Sequence, residues 1–66
     1  MNLPKFRAKL AEKNIKINDL CGIWDRNRNG VSRRVNGKIP ITLDEAQRFS
    51  EYADLTDSEK VEIFLS

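Results

Sequence analysis

The stretch Asp25–Lys38, DRNRNGVSRRVNGK, decides how this chain folds and what it can touch. It holds four arginines and three asparagines against one acid, Asp25. Val31 and Val35 sit four residues apart, and Gly30 and Gly37 interrupt it. Asn27 is suited to cap a helix start, and Gly37 to end one in a left-handed turn. For a helix from Arg28 to Asn36, Val31 and Val35 lie roughly 40° apart and mark the core side. Arg33 then points almost opposite, and Asn29 and Asn36 lie roughly 140° and 120° from the core direction. Ser32 is at the edge, and Arg28 is near the free N-terminal end. The helix has one apolar anchor and a broad polar face without an acid. Arginine and asparagine hydrogen-bond bidentately to guanine and adenine edges in the major groove. A helix N-terminus favours phosphate through its free amides and dipole. A merely solvated face usually mixes in Glu or Asp, so this one points to DNA.

The rest of the chain narrows the field. Its 66 residues make one domain at most, residues 1–66. With 39% hydrophobic and 33% charged residues it is too apolar for a disordered tail. No apolar run approaches a membrane span and the opening residues do not read as a signal peptide, so a soluble intracellular protein is expected. There is no histidine, and Cys21 is the only cysteine. Neither an internal disulfide nor a zinc-ligand spacing is available. Cys21, between Leu20 and Ile23, reads as a small buried side chain. Asp44 and Glu45 are consecutive and do not share a helix face, so they read as helix-start residues, not a catalytic pair. No nucleophile, base or metal set can be assembled. The expectation is a non-enzyme without cofactor, metal or small-molecule ligand.

The net charge of +2 hides an asymmetry. Residues 1–38 carry ten Lys/Arg against Glu12, Asp19 and Asp25, an excess of seven positive charges. Residues 39–66 carry Arg48 and Lys60 against seven acids, an excess of five negative charges. Such a chain presents a basic surface on one side and an acidic one on the other.

Five helical segments are predicted and no strand alternation competes. The first runs from about Pro4 to Lys13, with Phe6 and Leu10 on one face. The second runs from about Ile17 to Trp24, and the third is the Arg28–Asn36 helix above. The fourth starts at Thr42, where TLDE has the capping-box form with Glu45, and buries Leu43, Ala46, Phe49 and Ala53. The fifth starts at Thr56, where TDSE repeats the device with Glu59. In it Val61 and Leu65 share one side with Phe64 on its flank, while Ile63 points elsewhere, roughly 160° from Leu65. Packing Val61 and Leu65 inward would leave Ile63 out, which fits either a frayed, partly exposed terminus or, on the functional reading, a dimer or partner interface formed by Ile63 with Phe64 or Leu65.

With these residues in view, the chain resembles the small Cro-type helix-turn-helix repressors of temperate phages over nearly its full length. The pattern is Leu20 and Cys21 in the second helix, then Trp24, a short turn, VSRRVNGK and a following proline. The ending Asn36-Gly37-Lys38 is its most characteristic piece. The resemblance implies an all-α, compact five-helix domain containing a helix-turn-helix, the lambda-repressor-like DNA-binding fold. It implies a sequence-specific transcriptional regulator in the cytoplasm of a bacterial host, with double-stranded operator DNA as partner. Carried over, Asn27, Arg28, Asn29, Ser32 and Arg33 would face bases or nearby phosphates. Asn36 and Lys38 would hold the backbone, and the second helix would offer Lys16 and Asn18 to phosphate. A two-fold operator would need a homodimer, with half-sites roughly 34 Å apart.

Some residues depart from the family pattern. Asp25 replaces a turn glycine, which asks it to take a left-handed backbone. Arg26 stands where an apolar turn residue is common. Arg34 stands at a core position and must snorkel or pair with an acid. Gly30 is a poor helix former, costing up to about 1 kcal/mol against Ala. Lys16 is a weak cap. These departures fit a second reading, an antirepressor or modulator that uses the same fold to bind a partner repressor.

Overall fold

Each helix begins at a residue in extended backbone whose neighbourhood satisfies the free amides. In the computed structural model, which describes residues 1–65, α1 is Leu3–Glu12, α2 Ile17–Trp24, α3 Arg28–Val35, α4 Leu43–Tyr52 and α5 Asp57–Phe64. Asn2 Oδ1 accepts from Lys5 N at 3.1 Å, and Asn27 Oδ1 from Gly30 N at 2.7 Å. Thr42 and Thr56 close full capping boxes with Glu45 and Glu59. Lys16 has no acceptor to offer, and α2 is held instead by the Asp19 carboxylate, which accepts Lys16 N–H at 2.8 Å. The bounds of α1 and α3 differ by one residue from those the sequence predicts.

Four of the five helices, α1 to α4, also stop alike. Asn14, Asp25, Gly37 and Asp54 take φ values of 55°, 51°, 78° and 53°. The residue after each donates its amide back to the preceding helix: Ile15 to Leu10, Arg26 to Cys21, Lys38 to Arg33 and Leu55 to Ser50. This left-handed stop satisfies carbonyls that the helix leaves open. Asp25 thus adopts the backbone expected of it, without glycine.

All five elements are helical, with no strand among the described residues, and they close on one core. Phe6, Leu20, Val31 and Phe49 are its fully buried side chains, with Trp24, Ile15, Ala53, Leu55 and Ile63 around them. The Phe6 and Phe49 rings lie 4.9 Å apart at 59°, and Phe64 stands 6.2 Å from both. Such tilted pairs add about 0.5–1.5 kcal/mol each beyond their buried area. α2 packs on α3 and α4, and α1 packs on α5. Cys21 is half-buried against the core.

Two apolar assignments need correction. Leu43 was expected in the buried stripe of α4 but is 85% exposed. It lies six residues before Phe49, roughly 120° round the helix, while Glu45, Phe49 and Ala53 follow one line. Glu45 takes the inward place near the start of α4. The second correction concerns α5. Ile63, expected to be exposed in an interface, is 2% exposed and belongs to the core, whereas Val61 and Leu65 are exposed. Glu59 and Ile63 are one turn apart. The ion pair of Glu59 with Lys9 of α1 turns that side of α5 inward. Ile63 O also accepts from Asn2 N at 2.7 Å. Phe64 is half-buried against Phe6 and Phe49, so of the three proposed interface residues only Leu65 is fully outside.

No helix among the described residues is long and apolar enough to cross a membrane. No group of three or more metal-binding side chains occurs among them either.

Candidate nucleic-acid interface

Val31 anchors α3, and everything else about the candidate surface follows from how the helix is fixed around it. Val31 is fully buried and Val35 half-buried. Arg33, Asn29 and Arg28 are exposed, and Ser32 is at the margin. The start of α3 is fixed by Asn18 of α2, whose Oδ1 accepts from Arg28 Nη1 at 2.6 Å. Its end is fixed by α1, where Arg7 Nε donates to Val35 O at 2.9 Å. A cation on a terminal carbonyl is favoured by the helix dipole.

Four of the predicted contact residues converge. Ser32, Arg33, Asn36 and Lys38 line one shallow surface hollow. Asn36 Nδ2 donates to Ser32 Oγ at 3.3 Å, and Lys38 N donates to Arg33 O at 2.8 Å. Lys38 is therefore held beside the last turn of α3 by its own backbone. Neither Arg33 nor Lys38 has a side-chain ion pair among the described residues. Asn29 is exposed, and its side chain has no hydrogen bond among the described residues. Asn27 spends Oδ1 on its cap, which leaves its Nδ2 as the donor. Lys16 is exposed at the start of α2, with no bond to α3. Phe64 and Leu65 lie away from this surface, on α5 and just beyond it.

The four arginines of the opening stretch divide evenly. Arg34 is 8% exposed, with Nε 3.0 Å and 2.9 Å from the two carboxylate oxygens of Glu45. Arg26 Nε reaches Glu45 Oε2 at 2.6 Å. Burial works to raise the Glu45 pKa. The Thr42 amide and the two guanidinium groups overcome it and hold the carboxyl down at about 2. Only Arg28 and Arg33 remain for an outside partner. Arg34 thus pairs with an acid, as its core position requires. Gly30 acquires a reason as well. Its carbonyl accepts from Arg34 Nη1 at 2.9 Å, and a Cβ there would stand 3.2 Å from Asn27 Oδ1 and 3.4 Å from Arg34 Nη1.

Sequence reasoning missed Arg7 and the pairing of Glu45 with both Arg26 and Arg34. The only signal for Arg7 was the basic excess of residues 1–38. No family model, no curated protein and no solved structure matches the chain. The functional reading therefore rests on the residues themselves.

Taken together, this surface offers donors and positive charge without a carboxylate. It can bind an anion through Lys38 and Arg33, and hydrogen-bond planar acceptors through Arg33, Arg28 and Asn29.

Proposed function

We propose that the chain is a Cro-type, sequence-specific DNA-binding transcriptional regulator that seats α3 in the major groove of an operator. α2 and α3 would be its helix-turn-helix, with Asp25 at the turn. The observation that carries this reading is the gathering of Ser32, Arg33, Asn36 and Lys38 on one exposed surface that has no acid. Arg33 and Arg28 would read base edges with Asn29, since their geometry suits guanine and adenine. Lys38 and Asn36 would hold phosphate, and Asn18 would set the direction of Arg28. Regulation would follow from occupying the operator against polymerase or a competing repressor.

A second reading, a modulator that binds a partner repressor, draws support from one observation. Glu45 takes up Arg26 and Arg34, which halves the arginine available on this side. A gel shift against the DNA upstream of the chain's own coding sequence separates the two, run with and without a co-expressed repressor. A shift by the chain alone, competed by specific but not random duplex, supports the first. No shift alone, with loss of the repressor's own shift, sinks it in favour of the second.

A further inference from the structure

Asn36 and Lys38 follow the last turn of α3, where the helix dipole leaves partial negative charge and disfavours an anion. A phosphate held at that end gains from any cation that covers the terminal carbonyls. Arg7 of α1 is such a cation, and two contacts place it. Its Nε donates to the carbonyl of Val35, the last residue of α3, at 2.9 Å. Leu3 lies one turn earlier on the same face of α1. It comes so close to Gly37 that a Cβ on that glycine would stand 2.8 Å from Leu3 Cδ1. This face of α1 therefore runs along residues 35–37, and Asn36 falls between the two contacts in sequence. Lys38 comes next, its amide held by Arg33 O.

The charge of Arg7 is not consumed inside the protein. Arg7 is exposed and has no ion pair among the described residues. No acid occurs from Arg26 to Leu43, so the sequence around this end of α3 supplies none. A guanidinium carries its donors in a planar fork. The Val35 carbonyl takes the one on Nε, which leaves both Nη groups. Their parallel N–H bonds match two oxygens of a phosphate. A lysine at this position could cover the carbonyl or reach a phosphate, whereas arginine can do both.

We propose that Arg7 is a DNA-phosphate contact contributed by α1. Its Nε caps the negative end of α3, and its Nη groups bind a backbone phosphate beside the one that Lys38 holds. This assignment rests on the DNA-binding reading of α3 and adds a third helix to that interface.

Titration of a random duplex with the full chain, at several salt concentrations, tests it. Arg7→Gln keeps an N–H for the Val35 carbonyl and removes the charge, so its melting temperature should stay close to the wild type's. Its affinity should fall several-fold, with the salt slope lower by about one unit. Arg7→Lys should keep the wild-type slope. Combined with Lys38→Ala, Arg7→Gln should lower the slope by about two units, since each side chain holds its own phosphate. An Arg7→Gln chain that melts earlier with an unchanged slope overturns the proposal, because Arg7 then only props α3. So does an Arg7→Lys chain whose slope falls as far as that of Arg7→Gln. A wild type that binds no duplex even at low salt overturns the DNA-binding reading and this assignment together. A slope that Lys38→Ala lowers and Arg7→Gln does not overturns the assignment alone.

Discussion

Arg34 of α3 and Glu45 of α4 hold each other inside the protein, guanidinium Nε within 3.0 Å of both carboxylate oxygens and each side chain at most 10% exposed. Glu45 also accepts from Arg26 and from the Thr42 amide, and its own carbonyl accepts from Trp24 Nε1 at 2.9 Å. One residue therefore ties the turn before α3, α3 itself, the start of α4 and the end of α2. A buried pair of this sort need not exceed an apolar replacement in stability, but removing one partner strands the other.

Glu45→Gln is accordingly expected to destabilise by about 3–5 kcal/mol, the usual cost of leaving a buried charge uncompensated. The pair also shapes acid unfolding. The Glu45 carboxyl is held at about 2, below its ordinary 4.5. Its contribution is thus present above pH 4.5 and is lost as pH falls through about 2. The size is about 3 kcal/mol, at about 1.36 kcal/mol per pKa unit. Glu59 is lowered to about 2 by Lys9 and the Thr56 amide, and titrates in the same window. Denaturant melts from pH 6 to pH 2 should therefore show a shallower acid decline in Glu45→Gln, with the Glu59 part remaining. An identical decline in both proteins would refute the assignment.

Arg33→Ala tests base reading. Arg33 is exposed and has no ion pair among the described residues, so folding should be unchanged. If its guanidinium reads a guanine, affinity for the specific site should fall by about 1–3 kcal/mol and preference should relax at one position. Competition between specific and random duplexes measures the ratio. An unchanged ratio removes Arg33 from the readout.

Lys38→Ala tests phosphate binding. The amide of Lys38 fixes its place at the end of α3, and the alanine variant keeps that bond. Binding to specific and random DNA should weaken alike, and the salt slope should fall by about one unit for the lost contact. Titrations at several salt concentrations check it. A loss confined to one DNA sequence contradicts a phosphate role.

The helix starts were legible because their signals are local. Asn27, Thr42 with Glu45, and Thr56 with Glu59 each act within four residues. The polar face of α3 was legible for the same reason, since Val31 and Val35 fix its rotation. The rotation of α5 was not. Val61, Ile63, Phe64 and Leu65 offer two apolar faces of similar strength. The choice between them is made by Lys9 and Asn2, dozens of residues away in sequence. Glu45 was half legible. Its capping box is local, while its two arginine partners are 11 and 19 residues distant.

Gly37→Ala tests how the candidate surface is built. Gly37 has φ 78°, and a Cβ there would stand 2.8 Å from Leu3 Cδ1. The left-handed backbone alone costs an L-residue about 1–2 kcal/mol. Leu3 can swing aside only by giving up part of its packing. Stability should drop by at least about 1 kcal/mol, and Lys38, next in the chain, should lose its fixed position. Calorimetry gives the first effect and a flattened salt slope on DNA gives the second. A neutral melting temperature would mean that the turn tolerates alanine.

Ile63 separates core from surface on α5. At 2% exposure it touches the core that Phe6 and Phe49 dominate, while Leu65, two residues on, is 76% exposed. Ile63→Val removes one methylene group and should cost about 0.5–1.5 kcal/mol. Ile63→Ala should cost about 2–5 kcal/mol, because the cavity left in the core adds to the transfer energy of the lost methyl groups. A domain of this size has only about 3–5 kcal/mol in hand, so the alanine variant should sit near its unfolding midpoint at room temperature. Leu65→Ala, by contrast, should leave the monomer's stability within about 0.5 kcal/mol, as exposed substitutions do. Chemical denaturation of the three variants, at a concentration too low for association, makes the comparison direct. Equal losses for Ile63→Ala and Leu65→Ala would mean that α5 is rotated from the position described. The expected order, with alanine at position 63 far the most damaging, follows from Ile63 lying in the core and Leu65 outside it.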